Sequence, residues 1–265
     1  MRRRLLAAAL GAALAAAPAP GQTPDVPFAG ETLRYAMSWK IFAGGIMTIS
    51  ASEAIVFEGK PAYKIELSAI SNEFISNFFL VRDSITSWID KATLQSLRYE
   101  KHSVEGKRVD DERIDFDLEQ KIATREGGRR IPFRTPVFDS LSAVYYLRTR
   151  TFEAGEPVEL EVVSGKHAYR LQVDVLGRET VKTPAGTFLA QKIHPKMKEE
   201  GLLKKGGDLW IWLAPDPRHT PVMIRSKLNF GTLTAKLVSG MSGGPGAGTA
   251  ALAPSRSVPA PSAAR

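Results

Sequence analysis

The chain has 265 residues, a formal net charge of +8 and no cysteine. That length holds one large domain or two small ones, with enough chain for a sizeable core, and 43% hydrophobic against 24% charged residues excludes a wholly disordered or fibrous protein. Without cysteine there is no disulfide, thiolate metal site, iron–sulfur cluster or cysteine nucleophile, and no thiol to carry a lipid anchor.

Residues 1–21 open with Arg2-Arg3-Arg4, continue with a small apolar run from Leu5 to Ala17 and end in Pro18-Ala19-Pro20-Gly21. A positive head, a short apolar centre and a small-residue exit describe a secretory signal peptide, with a disordered tail as the alternative. The apolar run is shorter than the ~20 residues of a membrane-spanning helix. The pattern predicts cleavage after Gly21 and export in the unfolded state, into a bacterial periplasm. At the other end, 19 of the residues in 241–265 are Ala, Gly, Pro or Ser, which predicts a disordered tail. The two ends carry five arginines and no acid, so residues 22–240 keep a net charge of only +3. This single mildly basic domain, in an exported chain, argues against a nucleic-acid partner.

From residue 33 the sequence alternates with period two, as half-buried strands do. Leu33, Tyr35, Met37, Trp39 and Ile41 share one predicted face, and Gly44-Gly45 is the expected turn. Met47, Ile49, Ala51, Ile55 and Phe57 follow, then the turn Glu58-Gly59-Lys60-Pro61 and the face Tyr63, Ile65, Leu67 and Ala69. A short helix is expected over 72–81. Further strands are expected near 82–89, 94–103, 108–118 and 121–126, with Ile114, Phe116 and Leu118 inward and Asp111, Arg113, Asp115 and Asp117 in water. Asp139 can cap a helix running to Arg148, in which Leu141, Val144, Tyr145 and Arg148 recur at helical spacing. Strands resume around Val158, Leu160 and Val162, then Tyr169 to Val175, Phe188 to Lys196, Leu209 to Leu213, Pro221 to Asn229 and Thr232 to Leu237. About a dozen strands in hairpin order with two short helices predict a mainly β domain: a large curved antiparallel sheet or incomplete β-barrel, wrapped around a helix with room for a cavity.

Chemistry-bearing motifs are sparse. His102, His167, His194 and His219 have no metal-pair spacing, and no metal or other cofactor is expected. Gly240-Met241-Ser242-Gly243-Gly244 matches a nucleophile elbow, but the last histidine and the last acid precede the serine. No catalytic residue is assigned. The acids around Asp110 alternate as the outer face of a strand would. The run Lys192 to Lys198, continued by Lys204-Lys205, reads as a solvated edge or loop, or as a weak contact to anionic headgroups or glycans. The strand Gly207 to Leu213 stands apart: Leu209, Ile211 and Leu213 form one apolar side and Trp210 and Trp212 the other. Such a strand is covered on both faces or lines a cavity. Trp210 and Trp212, with Phe78 and Phe79 from the first helix, are the candidate ligand-binding residues.

The stretch Gly177 to Phe188, with Glu179, Thr183-Pro184 and Gly186, resembles a block of the bacterial exported family known as domain of unknown function 3108. Trp210 to Asp216, Arg218, Pro221-Val222 and Gly231 to Leu237 resemble its closing block, and Leu33-Arg34-Tyr35, Gly44-Gly45 and Phe138 to Leu141 fit as well. The likeness spans about 30–240 and implies no catalytic residues. The tryptophan strand with its turn and Pro-Val is also remotely similar to periplasmic lipoprotein carriers, an architectural likeness. Three functional expectations follow. The first is a non-enzymatic, soluble, non-lipidated periplasmic protein that binds a lipid or other hydrophobic envelope component. The second is a structural protein for envelope integrity that contacts protein or peptidoglycan. The third is a carboxylate-based hydrolase of wall polysaccharide.

Overall fold

The computed structural model describes residues 26–152, 155, 158–197, 208–228 and 231–240. The predicted signal peptide at 1–21 and tail at 241–265 lie outside them. One sheet of sixteen strands dominates: β1 Thr32–Trp39, β2 Phe42–Ala51, β3 Ile55–Phe57, β4 Lys60–Ser71, β5 Val81–Asp90, β6 Ser96–Glu105, β7 Arg108–Asp117, β8 Ile122–Arg125, β9 Arg130–Pro132, β10 Val137–Phe138, β11 Val158–Ser164, β12 His167–Thr183, β13 Gly186–Met197, β14 Asp208–Leu213, β15 Pro221–Leu228 and β16 Gly231–Ser239. Two helices, α1 Glu73–Ser76 and α2 Ser140–Arg148, complete the described elements. The strand order runs β10 to β16, then β1, β2 and β4 to β9, with β3 beside β4. Every pairing is antiparallel except the short β10–β11 contact. The sheet does not close into a barrel.

The alternation of the sequence becomes the two faces of this sheet. Register carries one apolar row from Ile193 through Ile211, Ile224 and Ala235 to Met37. A second row runs from Leu33 through Ile49 and Leu67 to Ile85. Helix α2 packs against these rows. Leu141 and Tyr145 join the cluster of Leu33, Tyr35, Ile49 and Tyr63, while Ala143 and Leu147 join that of Leu160, Val162, Val173 and Ile211. The helix is thus covered on most sides, with Ser142 and Arg148 buried beside Leu141, Ala143, Tyr145 and Leu147.

Several local expectations shift. The β1–β2 turn is Lys40-Ile41, which leaves Ile41 89% exposed rather than inward. Gly44 and Gly45 lie within β2, because the turn follows the pairing Trp39↔Phe42. Gly45 has φ +152°, and a Cβ there would come within 2.1 Å of the Ile70 carbonyl, so close strand approach is what demands glycine. Helix α1 is a single turn, since the chain must re-enter the sheet at Val81, and Phe78 and Phe79 fall beyond it. Of the lysine run, Lys192 lies inside the sheet between β12 and β14, Lys196 lies past the last β13–β14 pair and is matched only with Gln172 of β12, and Lys198, Lys204 and Lys205 lie outside the described residues.

Candidate functional site

Between α2 and the concave face lies an apolar cavity of about 160 Å³. Leu33, Met47, Ile49, Leu67 and Ile85 form one wall, Leu209, Ile211, Pro221 and Ile224 the opposite wall, and Ser140, Leu141, Val144, Tyr145 and Arg148 of α2 the cover. An apolar cavity of ~150 Å³ stays dry and accepts a ring the size of benzene. The volume therefore matches a group of about six carbons.

The charged end of this cavity is internally compensated. The Arg148 guanidinium donates to both carboxylate oxygens of Glu31, through Nη1 to Oε1 and through Nη2 to Oε2 at 2.8 Å, and its Nε donates to the Arg218 carbonyl at 3.1 Å. Both side chains are fully buried. Tyr145 Oη donates to Glu31 Oε1 at 3.2 Å, and the guanidinium lies 4.8 Å from the Tyr145 ring and 5.5 Å from Phe28. Burial works to lower the Arg148 pKa, but the hydrogen bonds and charge of Glu31 outweigh it and raise it. Burial likewise pushes the phenols of Tyr35 and Tyr145 well up, against the pull of Arg148. Each guanidinium nitrogen of Arg148 already has a protein acceptor and its charge is matched by Glu31, so it is a poor partner for a ligand carboxylate. The cavity suits an uncharged apolar group.

The sequence-predicted residues take other places. Trp212 is fully buried on the opposite face of β14. Its Nε1 donates to Glu179 at 2.5 Å, and Lys192 and Arg225 lie 5.0 and 5.3 Å from its ring. The β12–β13 hairpin, kinked by a register shift between Val175 and Arg178, reaches β16, where Ala185 N–H donates to the Leu237 carbonyl at 3.0 Å. Trp210 is half-buried and stacks on His194 at 4.8 Å. Phe78 is 74% exposed. Phe79 lies against the β6–β7 turn at Gly106. None of these four lines the apolar cavity, but Leu209 and Ile211 from the same tryptophan strand do. Alternation marked the strand as two-faced; it did not say which face meets α2. Glu31 and Arg148, 117 positions apart, carried no local signal.

The other buried carboxylates are also engaged. Asp139 accepts from Ser87, Ser96, Leu141 and Ser142, and Glu112 accepts from Arg125. Among the described residues no three His, Asp or Glu side chains gather as a metal-ligand set, and no helix is long and apolar enough to cross a membrane.

The family model described as "Protein of unknown function (DUF3108)" matches residues 34–238. The chain belongs to the DUF3108 family. No curated protein matches it in sequence. Among solved structures, a beta-barrel-like protein of domain of unknown function DUF1849 from Brucella abortus has a TM-score of 0.53 and 10% identity, covering 78% of this chain and 95% of its own. That likeness concerns the fold alone. A proposed lipoprotein from Parabacteroides distasonis is 11% identical with a TM-score of 0.33, over 81% of this chain and 97% of its own.

Proposed function

We propose that this DUF3108 protein is a non-enzymatic, exported binding protein of the bacterial envelope that seats an uncharged apolar group between α2 and the concave sheet face. The observation that carries this reading is the cavity itself, walled by aliphatic side chains from six strands and bounded by a charge pair that already satisfies itself. The group is the end of an acyl chain or a small ring of an envelope lipid. The positive head and apolar run of residues 1–21 support export to the periplasm.

The test is a thermal-shift titration of the purified mature protein with 1-hexanol, octanoate and longer alcohols, alongside native mass spectrometry before and after solvent extraction. Hexanol is expected to raise the melting temperature, since a ligand bound only to the folded state stabilises it, and octanoate to do so less. Val144→Phe, which fills the cavity from the helix, removes the hexanol shift. No copurifying lipid together with no shift by any of these ligands overturns the reading.

A further inference from the structure

Beside the apolar cavity, on the same concave face, lies a polar one. Its volume is about 200 Å³, and it is lined by Lys101, Ser103 and Glu105 of β6 with Arg108 and Asp110 of β7. Register fixes how the two cavities adjoin. On β5, Ser87 donates to Asp139 at the start of α2 and Ile85 lines the apolar cavity, so both point into the curve. Ile85 is the direct partner of Lys101, and Asp83, two residues away, is the partner of Ser103. Opposed residues on neighbouring strands stand about 5 Å apart at Cβ. The aliphatic wall therefore passes into the charged lining across one residue pair. Lys101 suits that border, because a lysine carries an apolar stem and ends in a charge.

The charges of the polar cavity are divided. Lys101 Nζ donates to Asp110 Oδ2 at 2.6 Å, and Arg108 Nη2 lies 3.6 Å from the same oxygen, so two cations share one carboxylate. Glu105 is the register partner of Arg108, yet among the described residues its carboxylate has no ion pair. The flanking groups on this face do not tip the balance. Glu112 is held by Arg125 at 3.3 Å, and Asp83 accepts from the Ser103 hydroxyl at 2.6 Å. With these and Lys107 at the hairpin turn, four cations stand against four acids. A lone anion placed on Lys101 and Arg108 meets Glu105, and a lone cation placed on Glu105 meets the other two. A guest that carries both charges answers all three.

We infer that the ligand of this protein is a compact amphiphile with a zwitterionic head. Its apolar part, about six carbons, fills the cavity under α2. Its anionic group meets Lys101 and Arg108, and its ammonium meets Glu105. This rests on the reading of the apolar cavity as a ligand site and narrows that ligand to one with a head.

The test is isothermal titration of the purified mature protein with four guests that share a hexyl tail: 1-hexanol, hexyl phosphate, hexylamine and hexylphosphocholine. Hexylphosphocholine is expected to bind about tenfold or more tighter than hexanol, and the two singly charged guests to stay within about threefold of hexanol. The hexanol arm reports the apolar cavity alone, and the difference between heads reports the polar one. Glu105→Gln brings hexyl phosphate level with hexylphosphocholine, because the opposing carboxylate is gone. Lys101→Gln with Arg108→Gln brings hexylphosphocholine down to hexanol. Unchanged hexanol affinity in each variant shows that the fold is intact. Hexylphosphocholine binding no tighter than hexanol overturns this inference and leaves the apolar cavity as the site. So does a hexylphosphocholine advantage that survives both variants, or hexyl phosphate equal to hexylphosphocholine in the wild type. No binding by any of the four overturns both readings.

Discussion

The two ends of α2 solve one problem in opposite ways. At the N-terminus Asp139 is buried without a cation: its carboxylate accepts two hydroxyls, from Ser87 and Ser96 at 2.6 Å each, and two backbone N–H groups, from Leu141 and Ser142. Ser142 Oγ returns a bond to the Asp139 N–H at 2.8 Å, completing a capping box. At the C-terminus Arg148 is buried against a full counter-charge, Glu31, which stands just before β1. His219 Nδ1 sits 2.7 Å from the Arg148 carbonyl oxygen, so the last turn is held as well. Each charge has the sign that the helix dipole favours at its end. A carboxylate can be dissolved in neutral donors that a helix start supplies for nothing. A guanidinium at a helix end finds only carbonyls and needs an acid from elsewhere in the chain.

The largest effect expected is at the ion-paired end. Glu31→Ala strands the Arg148 charge, and a urea unfolding midpoint will report a loss of about 3–5 kcal/mol. Next comes Asp139→Ala, which removes the cap and leaves several buried donors unanswered. Equilibrium unfolding is expected to show about 2–3 kcal/mol lost. If the two losses come out reversed, the contrast between the ends is wrong. Replacing the pair together, Glu31→Leu with Arg148→Met, sharpens it: the double variant stays within about 2 kcal/mol of wild type, because desolvation of both ions disappears with their attraction. A smaller loss, about 1–2 kcal/mol, is expected for Trp212→Phe, which deletes one hydrogen bond to Glu179 and replaces the fully buried indole with a smaller ring.

The smallest effect lies away from α2. Burial, with Lys196 adding to it, lowers the His194 pKa below the ordinary 6.5, against the opposing charge of Asp208. A histidine depressed in the folded state contributes stability that is complete above its unfolded value and is lost as pH falls through the folded one. Unfolding midpoints taken on descending from pH 7.5 into the acid range should decline, and His194→Gln should flatten that component of the decline.

Local signals made much of this fold legible. Alternation located the strands, and Asp139 ahead of Leu141 and Tyr145 located α2 and its cap, because capping and period are properties of adjacent residues. What depends on remote pairing was not legible. Gly44-Gly45 looks like a turn, yet the register between β1 and β2 puts the turn at Lys40-Ile41 and uses Gly45 for contact with β4. The tryptophan strand was correctly two-faced, but only the path of the β12–β13 hairpin decides that Trp212 lies opposite the cavity wall. Glu31 belongs to no strand or helix, so nothing near it announces a partner at Arg148. The helix expected over 72–81 proves to be a single turn that ends before Phe78 and Phe79.

The open sheet has a consequence for crowding among copies. A sheet left unclosed offers its last strands as templates for another chain. Here the strand path stops at β9, with three residues, and β10, with two. The side chains near these borders, Ile131, Phe133, Val137 and Val163, pack into one cluster with Ile114 and Phe116. The gap that hydrogen bonds would have sealed is thus a greased seam, and the stretch of β7 beyond its pairing with β8, Arg108 to Arg113, is guarded by its charged side chains. The molecule stays unzipped along that line without inviting fibrils there.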